Sequence, residues 1–245
     1  MPQHLIDKLE RFTRLSDEDR QVLKALARKV RLIEAGVDII QEGDRPETVN
    51  LFLDGWACRY KQLEDGRRQI VAFFVPGDLC DIHVYVLREM DHAIAAITPV
   101  RLATVPREIL LDTMDRHPRI TRALWWESLV NAAIQREWTV NIGRRTALER
   151  LAHLFCELFL RLRAVGLAEG STCPFPLTQL ELADATGLTN VHVNRTLKEM
   201  RNAGLIVLKS RQLTVPNLAA LQKAALFNPN YLHLEREGAH LSANA

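Results

Sequence analysis

The chain has 245 residues, a formal net charge of +2, 47% hydrophobic residues and 25% charged residues. This is the composition of a folded protein with room for two ordinary domains, and it argues against disorder. Asp7, Lys8, Glu10 and Arg11 stand among the apolar residues of the N-terminus, which excludes a signal-peptide core, and no apolar run approaches the roughly 18 residues of a membrane helix. We therefore expect a cytoplasmic protein that makes no contact with a membrane.

The charge is distributed unevenly along the chain. Residues 144–215 hold ten Lys or Arg and six Asp or Glu, a net charge of +4, whereas residues 1–143 carry −2. Phosphate contacts dominate the affinity of proteins for DNA, so a local positive face matters more than the total charge. The C-terminal half is therefore the candidate for nucleic-acid binding.

Two short helices are predicted within residues 4–29, with a break near Leu15 and a capping box formed by Ser16 and Asp19. Short β-type runs separated by glycines follow. Strands at this spacing predict a small antiparallel barrel or roll as the first core. The predicted strands cover residues 30–34, 38–41, 49–54, 56–62, 69–75, 92–98 and 100–106.

A long helix is predicted over residues 118–143, beginning at Pro118 and ending at Gly143. At 100° per residue it has two separate apolar faces, which require two partners. One partner can be the roll and the other the same helix of a second subunit; burial of both faces within a monomer is the alternative. The face assigned to a dimer contains Trp126, Leu129, Val130, Ala133 and Val140, and the other contains Ile120, Leu124, Ile134, Trp138 and Ile142.

A hinge is predicted immediately after the long helix, because Thr146 and Glu149 form the capping box of a new helix. That helix, over residues 147–165, is expected to be the scaffold of a second domain. The predicted organisation is therefore α+β, with an N-terminal unit at 1–116, a long helix and hinge at 117–145, and a C-terminal domain at 146–245.

Residues 178–204 predict two short helices joined by a tight turn. Thr178 and Glu181 form a capping box, Gly187 stands where the chain reverses, and Thr189 caps a second helix that ends near Gly204. Their apolar positions predict a small shared core typical of a helix-turn-helix. An ordinary helical hairpin with a solvated face is the alternative. The predicted core contains Leu182, Ala183, Leu188, Val193 and Leu197.

Five residues near the start of the second helix point away from this core, at the place where such helices enter the major groove. They are predicted to contact bases: Asn190, Val191, His192, Asn194 and Arg195. Two strands around a polar turn, within residues 205–215, then predict a wing. Phosphate contacts are predicted, by position and charge, for Thr178, Gln179, Lys198, Lys209 and Arg211. One more helix is expected at 217–225.

The predicted roll contains a series of short phrases in a fixed order. Followed by a long helix and a winged helix-turn-helix, this series resembles the CRP/FNR superfamily of bacterial transcription regulators along nearly the whole chain. The phrases are Glu34-Ala35-Gly36, Glu42-Gly43-Asp44, Leu51-Phe52-Leu53-Asp54-Gly55, Glu64-Asp65-Gly66-Arg67 and Phe74-Val75-Pro76-Gly77-Asp78. The resemblance implies a jelly-roll-like sensor domain (a double-stranded β-helix), a dimerisation helix and a DNA-binding domain.

The resemblance also implies a function: a homodimeric regulator whose two recognition helices, at about 190–203, enter successive major grooves of a near-palindromic double-stranded site. RNA polymerase is then an expected partner. Arg195 matches the arginine that contacts guanine in the family. Val191 stands where relatives commonly have a base-contacting Glu, so a thymine methyl is the most it can contact. This departure predicts an operator that differs from the usual family half-site.

The effector pocket of cyclic-nucleotide-binding relatives has a Gly-Glu for the ribose and an Arg beside a hydroxyl residue for the phosphate. This chain offers Gly77 and Asp78 at the first place, and Arg88 followed by Glu89, or His92 followed by Ala93, at the second. Since Glu89 would repel a phosphate, we do not expect a cyclic nucleotide. We record Gly77, Asp78, Arg88 and His92 as the pocket candidates.

The cysteine spacing argues against a cofactor. Cys58, Cys80, Cys156 and Cys173 are scattered, whereas an iron-sulfur cluster needs about four convergent thiolates. Cys80 and His83 could ligate haem or a metal, but two ligands at this spacing usually have no such role. We therefore expect no metal, cluster or haem.

Two alternatives to this regulator remain at the level of sequence. One is a signalling module whose winged domain contacts protein; the other is a regulator that does respond to a cyclic nucleotide. An enzyme is not expected, because the chain contains no phosphate-binding loop, nucleophile elbow or metalloprotease motif.

Overall fold

The computed structural model describes residues 2–80, 82, 86 and 88–235. The chain divides into two compact units. Of the described residues, the first unit contains those within 2–61, 73–131 and 233–235, and the second contains Gln62–Ala72 and Ala132–Leu232.

The first unit begins with two helices, α1 (Gln3–Leu9) and α2 (Asp17–Leu26). The predicted capping box is confirmed: the Ser16 hydroxyl accepts from the Asp19 amide at 3.1 Å, and the Asp19 carboxylate accepts from the Ser16 amide at 2.9 Å. These bonds satisfy backbone donors that the first turn of a helix leaves unpaired.

Two four-stranded antiparallel sheets form the predicted roll. One has the strand order β1-β8-β3-β6 and the other the order β2-β7-β4-β5. The seven predicted strands are confirmed with ends shifted by two residues at most, and the two-residue strand β6 was not predicted. The strands are β1 (Val30–Ile33), β2 (Asp38–Ile40), β3 (Thr48–Asp54), β4 (Ala57–Gln62), β5 (Arg68–Phe74), β6 (Leu79–Cys80), β7 (Ala93–Ala96) and β8 (Val100–Pro106).

The core of the roll lies between the sheets. Phe52 on β3 and Phe74 on β5 stack with their ring centroids 5.1 Å apart. Helix α1 packs so closely that a Cβ added to Gly77, at φ +94°, would lie 2.8 Å from the His4 carbonyl oxygen. Any other residue at position 77 would therefore clash with α1 and strain the backbone.

Two helices follow the roll, α3 (Arg107–Arg116) and α4 (Pro118–Arg144). Helix α4 agrees with the prediction to within one residue. Helix α3 was not predicted; Leu110 is buried and Met114 packs against the core, whereas Ile109 is exposed.

The second unit is built around α5 (Ala147–Ala164), whose residues 151–160 are all buried. Its predicted capping box is present between Thr146 and Glu149. A three-stranded antiparallel sheet of order β10-β11-β9 lies in the same unit. The remaining elements are β9 (Thr172–Pro174), α6 (Gln179–Thr186), α7 (Asn190–Asn202), β10 (Val207–Lys209), β11 (Gln212–Thr214), α8 (Leu218–Ala224) and a 3₁₀ turn (Pro229–Leu232).

No helix in the described part of the chain is both long and apolar enough to cross a membrane.

Candidate nucleic-acid interface

Helices α6 and α7 are fixed by their caps and by the turn between them. The Thr178 amide donates to Glu181 Oε2 at 2.6 Å, and Thr178 Oγ1 accepts from the Glu181 amide at 3.2 Å. Gly187 ends α6 at φ +65°, a left-handed conformation in which its missing Cβ avoids a steric penalty. Thr189 Oγ1 then accepts from the His192 amide at 3.3 Å, so α7 starts in a defined direction.

Helix α7 has one buried and one exposed face. The buried residues are Val193, Thr196, Leu197 and Met200, which pack inside the unit. The five predicted base-contacting residues are all exposed on the first two turns, with Val191 76% accessible. An apolar side chain this exposed beside amides and a guanidinium is suited to the edges of bases, which present methyl groups as well as donors and acceptors.

The wing is a tight hairpin between β10 and β11. Ser210 and Arg211 form its turn at φ +52° and +58°, so the tip lies one residue later than Lys209, which is still in β10. A groove of about 290 Å³ lies among the start of α6, α7 and this hairpin. Its lining includes Thr178, Gln179, Lys209 and Arg211, and thus four of the five predicted phosphate contacts.

Arg201 on α7 also lines this groove, and the sequence analysis missed it. Its spacing of three residues from Lys198 indicated a shared helix face. Lys198, the fifth predicted phosphate contact, is exposed on α7 and is not part of the groove lining. Three basic side chains, Arg201, Lys209 and Arg211, therefore lie around one groove.

A buried polar cluster lies inside the second unit. Glu157 on α5 is fully buried and accepts hydrogen bonds from Trp138 Nε1 at 3.0 Å and from Tyr231 Oη at 2.9 Å. Arg161 Nη1 donates to it at 3.4 Å. Burial raises the pKa of Glu157, and its hydrogen bonds and the nearby Arg161 partly oppose that shift. Tyr231 lies in a tail where the sequence predicted no element.

His153 lies one turn before Glu157 and is also fully buried. Its ring stacks on Tyr231 at a centroid distance of 5.7 Å and packs against Phe227 at 4.9 Å. Its Nε2 is 3.3 Å from Glu137 Oε1, but neither ring nitrogen has a hydrogen-bond partner among the described residues. Burial lowers the pKa of His153 to about 3, so the ring is neutral at pH 7.

Only some of the residues predicted for a dimer face are exposed. Leu129 and Val140 are exposed, whereas Trp126, Val130 and Ala133 are buried within the chain, Trp126 against Phe12 at a ring distance of 5.5 Å. Those three side chains are not available to a second subunit, which corrects the predicted set. The exposed stripe on α4 instead contains Trp125, Leu129, Ala132, Arg136 and Val140.

Two of the predicted effector contacts face the interior of the first unit. Asp78 is buried; its Oδ1 accepts from Lys8 Nζ at 2.6 Å and its Oδ2 from the Val75 amide at 2.8 Å. Lys8 also pairs with Glu127 of α4, which is buried and whose Oε2 has no hydrogen-bond partner among the described residues. Asp78 therefore serves an internal ion-pair cluster and a turn, and Gly77 serves the packing of α1.

The other two effector candidates are not brought together with these. Arg88 is exposed, while His92 is buried with its Nδ1 2.7 Å from Asp91 Oδ1. The hydrogen bond with His92 lowers the pKa of Asp91. For the Cys80–His83 pair, His83 lies outside the described residues.

The cysteines do not form a metal site in the part of the chain that the structure describes. No three His, Cys, Asp or Glu side chains converge there to hold a metal ion. All four cysteines are buried, and burial raises the pKa of the Cys156 and Cys173 thiols to about 12. The donor set in these residues does not fit an iron-sulfur cluster.

Comparisons with known proteins agree with this architecture. A model of the cyclic nucleotide-binding domain matches residues 30–117, and a model of the Crp-like helix-turn-helix domain matches residues 149–224. The second match contains α5, α6, α7 and the wing, so the exposed face of α7 belongs to a DNA-binding motif.

Relatives cover most of the chain. The transcriptional activator protein FnrL of Cereibacter sphaeroides is 30% identical over 80% of this chain and 79% of its own. The nitrogen fixation regulation protein FixK of Bradyrhizobium diazoefficiens is 30% identical over 75% of this chain and 76% of its own. The solved structure of FixK2 from Bradyrhizobium japonicum is similar with a TM-score of 0.72 and 26% identity, over 80% of this chain and 96% of that one. The chain therefore belongs to the CRP/FNR family of transcription regulators and is a DNA-binding regulator rather than an enzyme.

Proposed function

We propose that this regulator binds a near-palindromic DNA site as a homodimer, with one α7 helix in each of two successive major grooves. The observation that supports the DNA contact is the two-sided character of α7. Its five predicted base-contacting residues are exposed, while its opposite face is buried in the core. A two-fold dimer presents two such helices about one helical turn of DNA apart.

In this proposal the side chains divide by task. Arg195 contacts guanine, because its guanidinium fork matches the O6 and N7 acceptors. Asn190, His192 and Asn194 contact further base edges, and Val191 contacts a thymine methyl. Thr178, Gln179, Lys198, Lys209 and Arg211 contact phosphates and hold the register, and Arg201 joins them because it lines the same groove.

Selection from a random pool of double-stranded DNA tests this proposal. We expect the full-length protein to enrich two inverted half-sites with centres about one helical turn apart. Enrichment of a single unpaired half-site would contradict the dimeric arrangement, and no enrichment, together with weak salt dependence on random DNA, would contradict base-specific binding.

The exposed stripe on α4 is the proposed dimer contact. Trp125 and Leu129 are 61% and 68% exposed, and the stripe continues through Ala132, Arg136 and Val140 at spacings of three and four residues. Apolar side chains at this spacing pack against a second helix in coiled-coil fashion.

Sedimentation analysis of Leu129→Arg tests this contact. We expect the variant to be monomeric at micromolar concentration, since an arginine would replace an apolar residue in the seam. Ile109→Arg is the matched control, because Ile109 on α3 is also apolar and 51% exposed but lies off the stripe. A dimeric Leu129→Arg protein would reject this stripe as the interface.

We also propose that the regulator acts in the cytoplasm through contact with RNA polymerase, which is supported by the activator function in the names of its relatives. Transcription with purified polymerase from a promoter carrying the selected site tests this contact.

For the first unit we propose that Gly77 and Asp78 do not hold a cyclic nucleotide. The support is the packing of α1 on Gly77 and the two internal bonds of the Asp78 carboxylate. Calorimetric titration with cyclic AMP and cyclic GMP tests this, and metal analysis with an absorption spectrum tests the expected absence of a cluster and haem. Nucleotide binding that is unchanged in Asp78→Asn would place the ligand elsewhere, whereas binding lost in that variant would overturn the proposal.

A further inference from the structure

A hydrogen bond joins the two helices of the DNA-binding motif at their exposed surface. Asn194 Nδ2 on α7 donates to Gln179 Oε1, at the first position of α6, over 3.2 Å. Both side chains are exposed, and Asn194 has Arg195 beside it and Val191 three residues before it on the same helix. The bond therefore orients an amide in the middle of the proposed base-contacting face.

The remaining hydrogen-bonding groups of Asn194 define what it can recognise. A side-chain amide has two N–H donors and one carbonyl acceptor. Gln179 takes one donor, which leaves one N–H and the Oδ1 carbonyl. In the major groove adenine presents an acceptor at N7 beside a donor at N6, which matches this pair, whereas guanine presents two acceptors.

Gln179 also has groups left over for DNA. Its Oε1 is used by Asn194, so its Nε2 amide has two donors, and the residue lines the groove that contains Arg201, Lys209 and Arg211. Those cations attract a phosphate, and a neutral amide donor at the edge of the same groove can hydrogen-bond to it.

We propose that Gln179 is a positioning residue that fixes Asn194 for adenine while it donates to a phosphate of the DNA backbone. The phosphate, Gln179, Asn194 and the adenine then form one continuous chain of hydrogen bonds. Because Asn194 is oriented before DNA arrives, less side-chain freedom is lost on binding. This inference rests on the proposed function and adds its base specificity: an A·T pair next to the G·C pair contacted by Arg195.

Exposed Val191 supports the same half-site. It is one turn before Asn194 on the same face, and its methyl groups suit the 5-methyl of a thymine. Neither residue suits a half-site made only of G·C pairs.

The experiment measures base preference with the full-length protein on the site that the random pool selects. The adenine assigned to Asn194 is replaced by guanine, with its partner changed to cytosine, or by 7-deazaadenine, which lacks the N7 acceptor. We expect the wild-type protein to prefer adenine over guanine by about 10- to 100-fold. Asn194→Ala should abolish the preference between these bases, and 7-deazaadenine should weaken wild-type binding but not Asn194→Ala binding.

Variants of Gln179 separate its two roles. Gln179→Met removes both hydrogen bonds and should reduce the adenine preference by about 3- to 10-fold, in addition to a uniform loss of affinity. Gln179→Glu keeps an acceptor for Asn194 but cannot donate to a phosphate, so the preference should remain while affinity falls on every sequence. Gln212→Met is the matched control, because Gln212 is exposed on β11 and lines the same groove.

An unchanged adenine preference in Gln179→Met would overturn the positioning role. If Asn194→Ala keeps every adenine preference of the wild-type protein on the selected half-site, the base assignment is overturned. Sequence-specific binding by the wild-type protein would still support the regulator function. Failure of the wild-type protein to select any sequence is a different result, and it contradicts the proposed function itself.

Discussion

The polar side chains at the two predicted sites, the effector pocket of the roll and the DNA face of the winged domain, are used in opposite ways. Asp78, predicted to face an effector, is buried in bonds with Lys8 and the Val75 amide. Asn190, His192 and Arg195, predicted to face DNA, are exposed on α7. A polar group that is buried must have its partners within the fold, whereas an exposed one on a rigid helix keeps its hydrogen-bonding capacity for a ligand. The predicted DNA face is therefore available to a ligand, whereas the Asp78 carboxylate of the predicted effector pocket is already used within the fold.

The largest effect is expected from Lys8→Met, which tests whether the polar cluster of the roll is structural. Lys8 forms ion pairs with both Asp78 and Glu127, whose side chains are 5% and 2% exposed. Its removal takes an ion-pair partner from two buried carboxylates, which should lower the free energy of unfolding by about 3–5 kcal/mol. Urea unfolding at neutral pH measures this change.

Lys61→Met is the control for that measurement. Lys61 pairs with Glu42 at 2.5 Å, but the two side chains are 44% and 51% exposed. Exposed pairs contribute little, so the change should stay within about 1 kcal/mol. Equal unfolding curves for the two variants would show that Asp78 and Glu127 do not depend on Lys8, and the contrast between the two sites would fail.

His153 is a buried polar group of the winged domain, and its burial should make the stability of the protein depend on pH. Burial lowers the pKa of His153 to about 3 from 6.5, so below pH 6.5 the unfolded chain takes up a proton that the folded chain does not. The contribution of His153 to stability is therefore complete above pH 6.5 and is lost as the pH falls towards 3. Between pH 8 and pH 5 the wild-type protein should lose about 2 kcal/mol more stability than His153→Gln.

Comparison of the two proteins isolates His153 from its neighbours. Glu157 has a raised pKa and gains stabilising protonation as the pH falls, which is the opposite sign, but it is present in both proteins together with Glu137 and Arg145. Thermal or urea unfolding across this pH range gives the two slopes. If the free energy of unfolding changes with pH by the same amount in wild type and variant, the buried His153 ring is protonated as readily in the folded protein as in the unfolded chain.

The difference between the two sites also explains what the sequence could predict. Strands of the roll follow from period-two patterns between glycines, and α6 and α7 follow from local signals such as the Thr178–Glu181 capping box and Gly187. These features involve residues a few positions apart. The exposed positions of α7 followed from the same local geometry, so the candidate DNA face was predictable residue by residue.

Features that depend on distant partners were not predictable in this way. The helical wheel placed Trp126 on a free face, but Phe12, more than a hundred positions earlier, covers it and leaves Trp125 exposed. Strand β9 pairs with β11, which lies much later in the chain. The bond between Tyr231 and Glu157 joins the tail to α5 without any periodic signal. In each case the information lies in tertiary contacts.

Arg195→Ala tests the exposed face directly. Loss of a bidentate contact to guanine should cost about 1–3 kcal/mol on the selected site and almost nothing on random DNA. Competition between the two DNAs measures both affinities. Lys198→Ala is the comparison on the same helix: as a phosphate contact it should weaken both complexes by a similar factor. An Arg195→Ala protein that loses affinity equally on both DNAs would assign Arg195 to the backbone instead of a base.

The smallest effect is expected at the wing, where Arg211 forms the turn and lines the groove with Lys209. Each phosphate contact releases counterions, so Arg211→Ala should reduce the slope of log affinity against log salt by about 1 while base preferences remain unchanged. Lys223→Ala on α8 is the matched control, since Lys223 is exposed but lies outside the groove lining. Titrations of random DNA at several salt concentrations give the slopes. An unchanged slope for Arg211→Ala would remove the wing from the DNA contact and confine the binding surface to α6 and α7.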